Sequence, residues 1–433
     1  MKLGIGPVTS PATVSSAYRW YVLGLLTAVY IINFLDRQIL AVLLEPIKAE
    51  LGLSDTDMGL LSGLAFAIFY VSFGIPIARL ADRYSRRNII AVAMAAWSIM
   101  TAVCGAAASF GQLLAARIGV AVGESGCVAP AHSILSDYFQ PHRRPLALSI
   151  FSTGAAAGVF LGLLLGGWLS DHYGWRMTLV IIGLPGVLVS LLLIYTLREP
   201  LRGMSSANFS AQSPIHSKPG AFIDDLRLLL RRRTLVFIGI AAGSQSMVTY
   251  GTASWLPAFY MRVHDISASE AGSHLALISG LGAGIGTILG GVVTTWLAKA
   301  DRRWLMWVPA ITAALATPCY MLSAISADTA TSLLWLTPAA FLAAMFLGPA
   351  LAATHGVSGV THRATGIALV LFASNMLGIG GGALVVGIVS DLFAAAEPQT
   401  SLRYGLIAVY AVNIVAITSY LLAVRGLNRD WQD

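Results

Sequence analysis

The sequence predicts an all-α membrane protein of twelve transmembrane helices, built as two six-helix bundles related by a pseudo-two-fold axis. Three observations carry this. Apolar residues come in twelve long blocks, Lys and Arg are distributed one-sidedly, and the two halves of the chain repeat.

The blocks run over 18–43, 57–79, 88–108, 111–136, 145–170, 176–197, 234–260, 271–298, 304–324, 331–357, 364–390 and 402–425. Of the 433 residues 57% are hydrophobic and only 11% charged. Soluble domains carry about 25% charged residues, so this chain lacks the polar surface of a soluble globule. A membrane helix needs about 20 apolar residues. Helices are the form expected, because they satisfy every backbone group in lipid and the blocks show no strand-like alternation. The first block is interrupted by "NFLDRQ" and has a poor charged n-region, so it reads as a span and not as a removable signal. Cys104, Cys127 and Cys319 all fall within predicted spans, which argues against a disulfide framework.

With the N-terminus inside, 21 of the 27 Lys and Arg residues lie on inner segments and four on outer loops. Arg37 and Arg117 lie within spans. This asymmetry orients the chain with both termini cytoplasmic, in the cell (inner) membrane. It also accounts for the net charge of +7 without a nucleic-acid partner.

Residues 1–197 form the expected N-terminal bundle and 234–433 the C-terminal one. The polar stretch 198–233 between them reads as a cytoplasmic linker. It has a Ser/Pro/Gly-rich middle and ends in the amphipathic helix "AFIDDLRLLLRRR". Residues 141–171 align with 361–391 at an offset of 220 without a gap. Eight of 31 positions are identical, among them Gly158/Gly378, Gly162/Gly382, Ser170/Ser390 and Asp171/Asp391. Parallel six-helix repeats are a transporter architecture, with a substrate site expected near the midplane between the halves.

The loop "ARLADRYSRR" (78–87) resembles the G-x-L-A-D-R-x-G-R-R signature of the major facilitator superfamily, and the likeness covers nearly the whole chain. Ala78 and Ser85 stand where glycines are usual. The resemblance implies a cytoplasmic latch of Asp82 with Arg83, Arg86 and Arg87. The second copy, "LAKADRR" (297–303), is degenerate. Gly154, Gly158, Gly162, Gly166 and Gly167 form a ladder down the fifth span that suits close helix packing. "GWRMTLV" (174–180) places Trp175 and Arg176 as an outer interface anchor.

Charges inside spans need a reason, since each costs about 2.5–3.5 kcal/mol at the helix centre. "ARIGVAVGESG" carries Arg117 and Glu124, seven residues apart and so on nearly one face of a helix. "NFLDRQ" carries Asn33, Asp36 and Arg37 at a similar expected depth. The pair of stretches resembles the spinster branch of the superfamily, with Ala121 where a glycine is common. That resemblance implies proton coupling through Asp36, Glu124 and Arg117, and amphiphilic lipid-like substrates such as lysolipids or sphingoid phosphates. Arg117 is expected to hold both acids. The same residues also suit a structural ion pair. His132 reads as a packing residue with proton relay as the alternative.

Arg117, Arg37, Asn33, Gln245, Tyr250, Trp255 and Asn375 are the expected substrate contacts. Thr249, Ser254, Thr354, His355 and Ser374 are further neutral groups of the second half. A proton-coupled transporter working by alternating access is the reading. An organic-anion:proton symporter of the same superfamily, with Arg117 on a carboxylate, is the alternative. An integral-membrane enzyme and a scaffold are rivals from other classes. The sequence offers no metal cluster, catalytic triad or phosphate-cradling loop at usable spacing. No cofactor or metal is expected, and a monomer is.

Overall fold

The computed structural model describes residues 15–204 and 221–432. The middle of the expected linker and both chain termini lie outside the described residues. The chain is helical almost throughout the rest. Span 1 is Ser16–Leu51, span 2 Asp55–Arg83, span 3 Arg86–Cys104 and span 4 Phe110–Tyr138. Arg144–Thr196 is traced as one helix, but Gly174 at φ 72° breaks it into spans 5 and 6. A left-handed residue of this kind is readily supplied only by glycine. Span 7 is Arg233–Val263. Spans 8 to 12 are Ala268–Ala298, Trp304–Ile325, Thr329–Gly359, Thr365–Ala394 and Ser401–Asp430. The twelve-helix fold expected from the blocks is therefore the fold observed.

Three local departures from regular helix matter. Spans 2, 8 and 11 each contain a π-helical stretch, at Leu60–Leu64, Ala276–Gly282 and Ser374–Gly381. Span 4, expected as one helix, is two: Phe110–Glu124 and Val128–Tyr138. Gly126 lies in the break and Pro130 in the first turn after it, and proline cannot donate the backbone hydrogen bond that would bridge it. Spans 10 and 11 turn into one another at Gly359, φ 71°.

Among the described residues the chain divides into two compact units. The first takes in Met1–Ile39 and Phe69–Ile215, the second Leu40–Ile68 and His216–Asp433. The end of span 1 and the start of span 2, which precede the linker in sequence, thus pack with the second half of the chain. In the first unit the glycine ladder is a helix-packing device. A Cβ on Gly158 would lie 2.5 Å from the Ile31 carbonyl oxygen, and one on Gly154 3.1 Å from that of Thr27. Span 5 therefore lies directly on the backbone of span 1. The amphipathic helix Ala221–Leu230 buries Leu229 among Leu235, Ile238, Tyr420 and Leu427, and leaves Arg227, Leu228 and Leu230 exposed.

Candidate functional site: four charges inside the first unit

Span 1 is fixed against span 5 by the ladder, and this sets the rotation of Asn33, Asp36 and Arg37. Asn33 and Asp36 are fully buried. On span 4 a Cβ at Gly123 would lie 2.8 Å from the backbone nitrogen of Trp97. Glycine there lets span 4 close onto span 3 and carries the next residue, Glu124, into the interior. Glu124 is 0% exposed and Arg117 4%.

Arg37 Nε donates to Glu124 Oε2 at 2.5 Å. The guanidinium of Arg37 also lies over two rings, Tyr70 at 4.5 Å and Phe34 at 5.2 Å from the centroids. Thr101 Oγ1 donates to Asp36 Oδ2 at 3.3 Å. Arg117 faces both Asp36 and Glu124 electrostatically. The sequence reading has Arg117 hold both acids; the structure adds Arg37 of span 1 as an ion-pair partner of Glu124.

Each acid keeps one oxygen unused. Asp36 Oδ1 and Glu124 Oε1 are buried and accept no hydrogen bond from the described residues. Both amide atoms of Asn33, one turn away on span 1, are in the same condition. The arrangement can therefore take up protons or a polar ligand without first breaking a bond to those atoms. Below it, Tyr30 stacks on Phe151 at 4.5 Å and meets Phe34 edge-on at 5.0 Å. Exposed His132 meets Phe151 edge-on at 5.2 Å.

The remaining candidates fall elsewhere. Gln245 is buried in the second unit, and neither of its amide atoms has a partner among the described residues. Ser374 Oγ is alike in this. Tyr250 and Asn375 are half-buried. Trp255 is fully buried and donates Nε1–H to the Ala383 carbonyl at 2.8 Å.

At the N-terminal end of span 3, Arg86 is buried in a network the sequence did not resolve. Its Nη1 donates to Asp137 Oδ2 at 2.5 Å and to Ser133 Oγ, and its Nε donates to Glu199 Oε1 at 2.8 Å. Glu199 also accepts from the Arg87 backbone N–H and from Ser85 Oγ. Asp82 and Arg83 are exposed, and no ion pair of Asp82 occurs among the described residues. Arg86 is thus tied to acids of span 4 and of the segment after span 6. "SDYF" and "REPLRG" were the available signals, but both read as ordinary helix-end and linker text. At the C-terminal end of span 3, Arg176 Nη1 donates to the Ala107 and Gly105 carbonyls.

The major facilitator superfamily model matches residues 26–383. A solved structure of a bacterial homologue of the human lysosomal transporter Spinster, inward-facing and unoccupied, superposes with a TM-score of 0.88. It is 31% identical and covers 97% of this chain and 100% of its own. The chain is a spinster-like member of the major facilitator superfamily. An efflux pump of Mycolicibacterium smegmatis is 31% identical over 95% of this chain and 94% of its own length. A probable galactarate/D-glucarate transporter of Bacillus subtilis is 27% identical over 99% and 96%. The sphingosine-1-phosphate transporter of Xenopus tropicalis is 26% identical over 93% and 81%. This spinster-like chain is accordingly a multi-pass membrane transporter and not an enzyme.

Proposed function

We propose that this transporter couples protons to the movement of an amphiphilic, lipid-like anion by alternating access. The observation that carries the reading is the pair of buried acids, Asp36 and Glu124, each beside an arginine and each with an unused oxygen. Two carboxylates and two guanidinium groups sum to zero charge. Protonating Glu124 releases Arg37, and protonating Asp36 releases Arg117. A released arginine is an uncompensated buried charge, which an anionic head group neutralises. Each negative charge on the substrate then travels with one proton, so a monoanion uses one acid and a dianionic phosphate uses both.

The rings of Tyr30, Phe34 and Phe151 support an apolar body behind that head group. They offer area and few hydrogen bonds. The relative that carries sphingosine-1-phosphate fits the same chemistry. The galactarate/D-glucarate relative keeps a second reading in view, an organic-anion:proton symporter with Arg117 on a carboxylate. Gln245, Tyr250 and Asn375 would serve the substrate from the second half. The Lys and Arg distribution supports cytoplasmic termini with the chain in the inner membrane, and the protein is read as acting as a monomer.

Flux into proteoliposomes with and without an imposed proton gradient tests the coupling. Glu124→Gln and Asp36→Asn imitate the protonated acids. Both should fold and exchange substrate yet lose acceleration by the gradient. Full gradient-driven uptake in both variants would make the acids structural. A thermal-shift panel of lysolipids, sphingoid phosphates and sugar acids decides between the substrate classes.

A further inference from the structure

The carboxyl of Asp36 meets a helix that nothing in the sequence connected with it. Thr101, on span 3, donates Oγ1–H to Asp36 Oδ2 at 3.3 Å. Trp97 stands four residues earlier, on the same face of that helix. Its side chain is fully buried, and its Nε1–H has no hydrogen-bond partner among the described residues. The group this N–H faces is the Asp36 carboxyl. The oxygen that Thr101 leaves over, Oδ1, is likewise buried without a partner among those residues. A donor and an acceptor are thus set against each other in the interior, both unused. The acids of the outer network, Glu45, Asp55 and Asp391, differ in having both oxygens bonded, to Arg262, Lys48 and Ser390 and to backbone N–H groups.

Glycines set the place of span 3. A Cβ on Gly123 of span 4 would lie 2.8 Å from both the backbone nitrogen and the Cβ of Trp97. One on Gly183 of span 6 would lie 2.6 Å from the Ser98 carbonyl oxygen. Span 3 is therefore held between two backbones, and Trp97 and Thr101 are turned toward span 1. Gly123 directly precedes Glu124. Trp97 accordingly touches the backbone that carries one buried acid and faces the carboxyl of the other. Arg117 and Glu124 of span 4 and the Cys104 thiol of span 3 also face Asp36. Its neighbour on span 1, Arg37, is tied to Glu124.

We propose that Trp97 and Thr101 are positioning residues for Asp36, two donors of span 3 that stabilise its carboxylate and so set the pH at which it takes up a proton. A hydrogen bond donated to the charged form of an acid favours that form. An unmet N–H buried beside a carboxylate is costly unless the two join in some state of the molecule. The inference rests on the reading of Asp36 as a proton acceptor but not on the coupling of that proton to transport.

Infrared spectra of the purified protein in lipid nanodiscs, recorded against pH without substrate or gradient, read the proton on Asp36. The carboxyl band that Asp36→Asn lacks identifies it. Thr101→Val keeps the shape of the side chain and removes the hydroxyl. Trp97→Phe keeps an aromatic ring and removes the N–H. Each should raise the midpoint of that band by about one pH unit, a tenfold change in proton affinity. Ser98→Ala removes a buried hydroxyl of the same helix that packs on Gly186 of span 6, and should leave the midpoint in place. Thr101→Val, the milder change, guards against Trp97→Phe failing to fold. Midpoints unmoved in the folded variants, an equal shift in Ser98→Ala, or an Asp36 band that does not titrate would each overturn the inference. Flux is not measured, so a failure of gradient-driven uptake leaves this outcome standing on its own.

Discussion

The acids of the interior cluster and those of the outer network differ in how fully their oxygens are used. Asp55 accepts four hydrogen bonds, and both oxygens of Glu45 and of Asp391 are occupied. Asp36 and Glu124 are as deeply buried, yet each leaves one oxygen with no partner among the described residues. A saturated carboxylate suits a single arrangement and resists change. A half-satisfied one leaves a place for a proton and an arginine that can change partner. The two sets of charge therefore differ in kind: the outer one is a saturated joint between helices, while the inner one keeps acceptors open, as the proposed proton coupling needs.

The largest effect should come from breaking the inner pair on one side only. Arg37→Ala strands Glu124 in the interior, and removing one member of a buried pair typically costs about 3–5 kcal/mol. Arg37→Ala combined with Glu124→Gln should recover most of that loss. Melting temperatures of the purified variants in detergent compare them. If the double variant is no more stable than Arg37→Ala alone, Arg37 holds the fold through Tyr70 and Phe34 rather than through the ion pair.

A smaller effect should follow from disturbing the scaffold that turns span 1. Gly158→Ala places a methyl 2.5 Å from the Ile31 carbonyl oxygen, whereas a Cβ on Gly111 meets nothing within 4 Å. Overpacking of this kind costs about 1–3 kcal/mol. Gly158→Ala should lower both the melting temperature and the gradient-driven flux, and Gly111→Ala should change neither. Equal behaviour of the two would detach the ladder from the positioning of Asp36 and Arg37.

What the sequence reveals and hides follows the same division. Hydropathy blocks and the Lys/Arg bias act over whole helices, so the twelve spans are readable. Buried charges are rare in lipid-facing text, so Asp36, Arg37, Arg117 and Glu124 stand out singly. Their pairing does not, because facing direction is visible in a periodic pattern and the distance between helices is not. Glu45, Asp55, Arg262 and Asp391 lie at span ends, where charges are ordinary, and are separated by up to hundreds of residues in sequence. Asp137 and Glu199 were hidden in the same way, while Asp82, prominent in the loop signature, is exposed. The break after Glu124 was signalled by Gly126 and Pro130 but was masked by the apolar block that contains them.

The comparison also predicts where the outer end should be sensitive to acid. Its carboxylates are saturated with donors. His264, two residues beyond Arg262, is different. It lies against Phe259 and Tyr260, with ring centroids 5.2 Å away in each case, and its Nε2 is buried without a partner among the described residues. Burial first, then the nearby Arg403, hold its pKa below the ordinary histidine value, with Asp328 pulling weakly the other way. In the unfolded chain the imidazole takes up a proton as pH falls through about 6.5, while in the folded protein it resists. Its contribution to stability is therefore full above that value and shrinks as pH drops through it. His264→Phe keeps the ring stack and removes the titration. The fall in melting temperature between about pH 7.5 and about pH 5.5 should be smaller in His264→Phe than in the unmutated protein. An identical fall in both would move the acid sensitivity to other groups.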